Sequence, residues 1–224
     1  MNKNLESLLI IYATQPHSML KQEIDGFSRD TLEATLIDLL TLYLNDANSS
    51  TVRELITLRL AGYQPVEGKL GYNGYRMAAV SGADNDEKHF CEVKPVNVRH
   101  KDDGSYSRHL NGGGNFSDYT PERLKRHLEE LHLQMLVSGF VDGRLVYVLE
   151  FPFQCLGNRL RNQLKKRFPE ESRQTNEYLR SASFSFKDYA HCFPCKGRVV
   201  YRADDLEPFQ NALTRTFYKF LSGL

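Results

Sequence analysis

The chain has 224 residues, and its 29 lysine and arginine residues nearly balance 28 aspartate and glutamate residues, for a formal net charge of +1. This balance excludes a uniformly basic surface, so any region that attracts nucleic acid must be local. No apolar run reaches the roughly 20 residues of a membrane span, and the N-terminus lacks the pattern of a signal peptide. We therefore expect a cytoplasmic protein with no membrane partner, whose cysteines are thiols.

The first part of the sequence has the apolar spacing of α-helices. The first helical pattern is carried by Leu5, Leu8, Leu9 and Tyr12. Further helices are predicted over 19–24, 29–43 and 51–60. A helix-turn-helix is an alternative for the second and third, but the helix at 29–43 has Arg29 as its only basic residue, whereas a DNA-reading helix needs polar and basic side chains. We therefore predict that residues 1–48 form a helical extension packed on a main domain of residues 49–224.

The middle and end of the chain mix strand and helix patterns. Strand patterns at 75–80 and 88–98 flank a polar turn and predict a hairpin. The polar segment 99–119, with glycines at its centre, predicts a mobile loop. Thr120 and Pro121 are typical of a helix start, and Asp142-Gly143 predicts the turn of a second hairpin over 134–151. The remaining patterns predict a basic helix at 153–167, strands at 181–186 and 197–202, and a last helix at 206–221.

The tetrad Cys91-Glu92-Val93-Lys94 lies on the second strand of the first predicted hairpin. Because side chains alternate along a strand, we expect Glu92 and Lys94 to share a solvent pocket on one face, with Cys91 and Val93 packed behind them. A carboxylate that can hold a divalent cation, beside an ammonium that can stabilise an anionic oxygen, suits hydrolysis of a phosphodiester. The alternative is an ordinary exposed strand face with alternating charges.

The predicted elements follow in the order helix, hairpin, loop, helix and further strands, with Glu-x-Lys on the second strand of the hairpin. This order resembles the PD-(D/E)XK nuclease superfamily of many type II restriction endonucleases. The similar segment is about 51–151, and Glu92, Lys94 and the hairpin 75–98 carry the resemblance, with the tyrosine- and glycine-rich approach at 69–75. The resemblance implies an α/β fold with a mixed central β-sheet flanked by helices. It also implies Mg²⁺-dependent cleavage of double-stranded DNA, often by a homodimer on a palindromic site.

Within that resemblance, Glu92 would ligate Mg²⁺ and Lys94 would orient the attacking water and stabilise charge on the scissile phosphate. The superfamily normally adds an aspartate on the first hairpin strand. A turn near Asn85 would place Ala78 opposite Glu92 and Arg76 opposite Lys94, and neither of these is an acid.

The second acid must therefore come from elsewhere or be absent. Glu67, in the loop before the hairpin, is our first choice as a second catalytic carboxylate and metal ligand. Glu54, on the helix at 51–60, is a further option, whereas Asp84 and Asp86 lie too near the tip of the turn. Without a second acid, the site would bind metal weakly or be inactive.

Two other regions offer contacts to DNA. Basic side chains on the helix 153–167 can neutralise phosphates, and asparagines beside the glycines at 112–114 can hydrogen-bond adenine edges. The candidates are Arg159, Arg161, Lys165, Asn111 and Asn115. A solvated helix face and a simple connecting loop are the corresponding alternatives.

Cys192 and Cys195 form a C-x-x-C pair. A structural zinc site needs four ligands, usually from two such pairs. Cys91 and Cys155 are isolated in sequence, so we favour neither a zinc site nor redox chemistry for this pair.

The sequence therefore predicts a sequence-specific, Mg²⁺-dependent DNA endonuclease of the type II restriction kind, in which metal-activated water hydrolyses the phosphodiester. One alternative is a non-catalytic DNA-binding or regulatory protein with a degenerate nuclease fold, which the missing acid favours. Another is a structure-specific repair nuclease that uses the same site.

Overall fold

The computed structural model describes residues 2–44, 50–66, 71–78, 87–169 and 176–223. Its α-helices are α1 (Lys3–Thr14), α2 (His17–Asp25), α3 (Arg29–Leu44), α4 (Thr51–Leu60), α5 (Pro121–Glu129), α6 (Gly157–Arg167), α7 (Phe186–Tyr189) and α8 (Arg215–Ser222). Its strands are β1 (Gln64–Pro65), β2 (Gly74–Ala78), β3 (Glu87–Val98), β4 (Gly114–Tyr119), β5 (Gln134–Val141), β6 (Arg144–Pro152), β7 (Leu179–Phe184) and β8 (Arg198–Arg202). Among the helices of these ranges, none is both long and apolar enough to cross a bilayer.

Six strands form one mixed sheet in the order β1-β2-β3-β5-β6-β8. The β3 and β5 strands are parallel, and the other neighbours in this sheet are antiparallel. Parallel neighbours need a crossover connection, and the chain between β3 and β5 supplies it with β4 and α5. The β4 and β7 strands form a separate antiparallel pair. The expectation of an α/β fold with a mixed, helix-flanked sheet is thus confirmed.

The sheet separates two apolar layers. One face packs against β4, β7, α5, α6 and α8 in a large core that includes Phe116, Met135 and Leu160. The other face packs against α4 through residues such as Leu58 and Val93. Burial on both sides explains why the central strands read as apolar runs.

Helix α1 anchors the N-terminal region to the sheet. Ala13 is buried in a cluster with Phe140, and Arg144 Nη1 donates hydrogen bonds to the carbonyl oxygens of Tyr12 (2.8 Å) and Gln15 (2.5 Å). Helix α3, in contrast, carries exposed apolar side chains, namely Leu32, Leu36, Ile37, Leu40 and Tyr43. The predicted domain boundary at residue 48 lies outside the described residues, so that division stays a prediction.

The segment expected to be a mobile loop is packed and partly strand. Its last six residues form β4, which pairs with β7. Gly112 and Gly113 are buried, and the hydroxyl of Tyr189 donates a hydrogen bond to the carbonyl of Gly112. A Cβ on Gly112 would lie 2.7 Å from the Phe217 ring, and its φ is +66°. These glycines therefore permit close packing and a left-handed turn, a use that glycine content alone does not distinguish from flexibility.

The last predicted helix is broken into two parts. A 3₁₀ segment covers Glu207–Ala212 and α8 begins only at Arg215. The break arises because Leu110 pairs with this segment, donating its N–H to the carbonyl of Ala212 (2.7 Å) and accepting from Thr214 N (2.9 Å).

The expectation that the cysteines are thiols is wrong for two of them. Cys155 and Cys192 form a disulfide, while Cys91 is free and buried and Cys195 is free and exposed. Cys155 follows β6 and Cys192 lies 37 residues later. The pairing is thus a long-range contact that cysteine spacing does not reveal.

Candidate functional site

The β2–β3 hairpin ends one residue before Glu92. Its register runs from Ala78 opposite Glu87 to Gly74 opposite Cys91. Arg76 faces His89 and not Lys94, so the predicted register is wrong by five residues. The polar connection between the strands contains several turn-forming residues, and composition alone does not fix its midpoint.

The start of β2 is packed closely against α4. A Cβ on Gly74 would lie 2.4 Å from Leu58 Cδ2, so α4 closely approaches the start of β2. Asn73, just before β2, donates its N–H to Cys91 O (3.0 Å) and accepts at Oδ1 from Val93 N (2.9 Å). The position near Glu92 where an aspartate was sought is thus held by an asparagine whose oxygen is engaged by the backbone of β3.

Glu92 and Lys94 project from the same face of β3, as predicted from strand alternation. Lys94 Nζ donates a hydrogen bond to Glu92 Oε2 at 3.2 Å. Cys91 and Val93 are buried on the opposite face. The expected solvent pocket is wrong for Glu92, because its side chain is only 3% exposed, compared with 18% for Lys94. The burial also removes the alternative of an ordinary exposed strand face.

Helix α5 brings two further nitrogen groups to Glu92. Arg123 Nη2 and His127 Nε2 each lie 3.5 Å from Glu92 Oε1. The two residues are four positions apart and so lie on one face of the helix. The Thr120 hydroxyl accepts from Arg123 N (3.2 Å) and caps this helix. Sequence analysis missed both residues, because their spacing predicts a shared face of the helix but does not indicate what that face contacts.

His127 is a neutral member of the cluster. Its side chain is buried, and burial lowers its pKa to about 4, although the nearby Glu92 opposes that shift. The hydroxyl of Tyr119 lies 3.1 Å from His127 Nδ1. A proton on Nε2 would let Nδ1 accept from Tyr119 while Nε2–H faces Glu92. With Lys94 and Arg123 charged, the cluster then carries one net positive charge.

Aromatic and glycine residues position the Lys94 side chain. Lys94 Nζ lies 4.6 Å from the centre of the Phe116 ring on β4, within the range of a cation–π contact. A Cβ on Gly114 would lie only 2.7 Å from Lys94 Cβ. The β4 strand therefore covers the stem of Lys94 at close range.

The two buried carboxylates of the sheet differ in how fully they are bonded. Glu150 Oε1 accepts from the Tyr63 hydroxyl (2.8 Å) and pairs with Arg76 (3.1 Å), and its Oε2 accepts from Arg198 Nε (2.7 Å). Glu92 Oε1, in contrast, is buried with no hydrogen-bond partner. Among the residues that the structure describes, Glu92 Oε1 is therefore reached only by the longer 3.5 Å contacts of Arg123 and His127, whereas both oxygens of Glu150 accept hydrogen bonds.

The remaining predicted acids do not complete a metal site within the described residues. Glu67, Asp84 and Asp86 all lie outside those residues. In the ranges that are described, no third histidine, cysteine or carboxylate ligand atom joins Glu92 and His127 within 4.8 Å.

Glu54 reaches β3 indirectly. Its Oε2 accepts a hydrogen bond from Asn73 Nδ2 at 3.2 Å, and Asn73 in turn binds the backbone N–H of Val93. Glu54 also accepts from the Ser50 hydroxyl (2.8 Å). Glu54 is thus linked through one amide to the backbone between the two residues of the Glu-x-Lys pair.

The five predicted DNA-binding residues lie on the layer that covers the Glu92 face of the sheet. All are exposed, namely Asn111, Asn115, Arg159, Arg161 and Lys165. Arg159 Nε lies 3.6 Å from a carboxylate oxygen of Asp188, and Asn115 Oδ1 accepts from Ser181 (2.6 Å). Arg161 and Lys165 line a groove of about 870 Å³ between α5 and α6, and neither Glu92 nor Lys94 contributes to it. Among the described cavities, none is lined both by these five residues and by the Glu92 cluster.

Comparison with known proteins adds no identification. No protein-family model matches this chain, and no curated protein matches it. The function is therefore inferred from Glu92, Lys94 and Arg123 and from the elements that position them.

Proposed function

We propose that this protein is a Mg²⁺-dependent, sequence-specific endonuclease that hydrolyses double-stranded DNA in the manner of type II restriction enzymes. The observation that carries the proposal is the 3.2 Å contact between Lys94 Nζ and Glu92 Oε2, where β2 leaves β3. The order of the surrounding elements also supports the proposal. Along the chain come α4, the β2–β3 hairpin, the crossover with α5, and then β5 and β6. The PD-(D/E)XK resemblance is based on this order.

Glu92 is the proposed metal ligand. Its Oε1 accepts no hydrogen bond, and a bound cation would replace its 3.5 Å contacts with Arg123 and His127. A carboxylate oxygen suits Mg²⁺, which prefers oxygen ligands and takes few carboxylates from the protein. When bound, Mg²⁺ supplies an activated water and neutralises phosphate charge. A second carboxylate is needed to offset Lys94 and Arg123, and Glu67 remains its first proposed source, with Glu54 the alternative on α4.

Lys94 and Arg123 are the proposed phosphate-stabilising cations. Lys94 Nζ is held between Glu92 and the Phe116 ring, which fixes its direction before substrate binds. Arg123 is also restrained, because its Nη1 donates to Ser117 O at 3.2 Å. Pre-oriented cations stabilise developing charge on a scissile phosphate without reorganisation. Lys94 would in addition orient the attacking water.

DNA contacts and self-association complete the proposal. The exposed residues of the glycine-rich segment and α6, Asn111, Asn115, Arg159, Arg161 and Lys165, would contact DNA outside the catalytic cluster. A homodimer would present two such sites to the two strands of a palindrome. Light scattering of the protein, with and without an oligonucleotide duplex that it cleaves, measures the oligomeric state directly.

A second candidate is a DNA-binding protein with a degenerate nuclease site. It is favoured by the nitrogen groups of Lys94, Arg123 and His127, which already surround the Glu92 carboxylate. It is also favoured by the absence of a second acid beside Glu92 among the described residues. In that case the protein would bind duplex DNA with no requirement for metal and would leave it intact.

Plasmid cleavage separates the two candidates. The purified chain with Mg²⁺ should give discrete fragments, and EDTA should abolish them. Glu92→Gln removes the ligand charge with little change in shape and should prevent cutting. Glu129→Gln, at an exposed ion pair on α5, is the matched control and should cut normally. Intact plasmid together with an EDTA-resistant mobility shift would overturn the enzyme and support the binding protein.

A further inference from the structure

A second cluster of ligand-type side chains lies at the start of β3. The rings of His89 and His132 are stacked, with centroids 4.3 Å apart and planes 10° from parallel. Glu87 Oε2 lies 3.9 Å from Nε2 of each histidine. In the part of the chain that the structure describes, this is the one group of three such residues whose ligand atoms all lie within 4.8 Å of one another.

The sheet register explains why these residues meet. The β3 and β5 strands are parallel, with Cys91 beside Gln134. His89 lies two residues before Cys91 on β3, and His132 lies in the turn two residues before Gln134, so the same offset continued beyond β5 places the two histidines side by side. Glu87 and His89 project from one face of β3 because strand side chains alternate. The cluster thus lies directly beside the first residues of the β3–β5 pairing, which is at the centre of the sheet.

The geometry points to a binding site for a divalent transition-metal ion, for which Zn²⁺ is the natural probe, with Glu87, His89 and His132 as its three protein ligands. Two imidazole nitrogens and one carboxylate form a ligand set typical of zinc sites that keep an open position. The two imidazole ligands also make this site unsuited to Mg²⁺, which prefers oxygen ligands.

The side chains need only a small adjustment to reach an ion. Ligand atoms about 2.1 Å from a tetrahedral ion lie ~3.4 Å from one another, and the present separations are within 4.8 Å. The His132 and Glu87 side chains are 47% and 52% exposed, so rotation of these two toward the more buried His89 brings the set together. Water would fill the remaining position.

This site is separate from the Glu92 cluster. His89 and Glu92 are three positions apart on β3, so their side chains project from opposite faces. An ion at Glu87, His89 and His132 would cross-link the start of β3, the strand that also carries Glu92, to the segment that enters β5. The inference does not depend on the proposed nuclease activity.

Isothermal titration with ZnCl₂ tests the site in the chelator-treated full-length chain. A Cys195→Ser background excludes the exposed free thiol as a ligand. We expect one ion per chain, and a matching rise in melting temperature. His89→Ala and His132→Ala should each weaken binding by at least the ~10–100-fold that loss of an outer-shell partner costs.

His109→Ala is the matched control, because His109 is an exposed histidine in the loop before β4. It should bind Zn²⁺ as the parent does. Circular dichroism without metal verifies that each variant is folded. Absence of Zn²⁺ binding in the parent, or undiminished binding in a folded His89→Ala/His132→Ala double variant, would overturn the site.

Discussion

Lys94 and Arg123 approach Glu92 from different elements, one from the sheet and the other from the crossover helix. Lys94 Nζ lies 3.2 Å from Glu92 Oε2, and Arg123 Nη2 lies 3.5 Å from Glu92 Oε1. Each carboxylate oxygen therefore has its own cation. Both cations are partly exposed, whereas the carboxylate is not, so an anionic ligand from solvent would meet the cations first.

Lys94→Ala should lower the rate of DNA cleavage by about 10²–10³-fold, the range for loss of one group that stabilises developing charge. Because Lys94 also pairs with the buried Glu92 carboxylate, its removal should lower stability as well, and circular dichroism must verify that the variant is folded. Single-turnover cleavage of a duplex measures the effect. Lys125→Ala, at an exposed lysine on α5, should retain the parent rate. Equal activity in the two variants would remove Lys94 from the mechanism.

His127 should make the folded state sensitive to mild acid. Its folded pKa is lowered to about 4 from 6.5 by burial, so the unfolded chain binds more protons between those two values. Stability from this group is therefore complete above about pH 6.5 and falls as the pH drops toward 4, by up to roughly 3 kcal/mol.

Urea unfolding at several pH values measures that dependence. His127→Gln keeps a polar side chain at this position but does not titrate, so its stability should change less between pH 6.5 and 5 than that of the parent. Parallel curves for parent and variant over this interval would contradict the assignment.

Gly114→Ala should disturb both stability and the position of Lys94. The added Cβ would lie 2.7 Å from Lys94 Cβ and 2.8 Å from Phe184 Cζ. Overpacking of this kind costs about 1–3 kcal/mol. Thermal unfolding and cleavage assays should both register the change. Gly157→Ala serves as the control, because its added Cβ would meet only the tip of the Leu128 side chain, at 3.1 Å. An equally large loss of stability in this control would indicate a general intolerance of added volume.

The Cys155–Cys192 disulfide should stabilise the folded chain by about 2–4 kcal/mol, mainly by restricting the unfolded state. Cys155→Ser should lose that stability under oxidising conditions, as measured by denaturant unfolding. Addition of a reductant should bring the parent down to the level of the variant. Cys195→Ser, which changes an exposed free cysteine, should match the parent in both conditions.

Local sequence patterns predicted the helices and strands well where the apolar residues follow either the helical or the strand period. The helix at 51–60 and the hairpin with its Asp142-Gly143 turn match α4 and the β5–β6 pair. The shared face of Glu92 and Lys94 follows from strand alternation alone. Long-range features were less accessible, because nothing local indicates that a helix 31 residues after Glu92 places Arg123 beside it, or that a buried carboxylate keeps one oxygen unbonded.

The hairpin register shows the same limit. Its midpoint depends on the conformation of a polar connection whose residues favour several turns equally well, and a shift of five residues changes every facing pair. The glycines at 112–114 predict flexibility by composition, whereas the Gly112 carbonyl accepts a hydrogen bond from Tyr189, and a Cβ on Gly112 would lie 2.7 Å from Phe217. Contacts between distant segments therefore decided the role of these glycines.

The parallel pairing of β3 with β5 has a consequence for how the protein acquires its chemistry. Residues 99–133 must cross from the end of one strand to the start of the other before that pairing exists, and long-range parallel pairing is slow to form. Arg123 and His127 travel on this crossing segment. During refolding, the carboxylate of Glu92 should therefore gain its contacts with Arg123 and His127 only in a late kinetic phase, whereas Lys94 is its neighbour on β3 from the start.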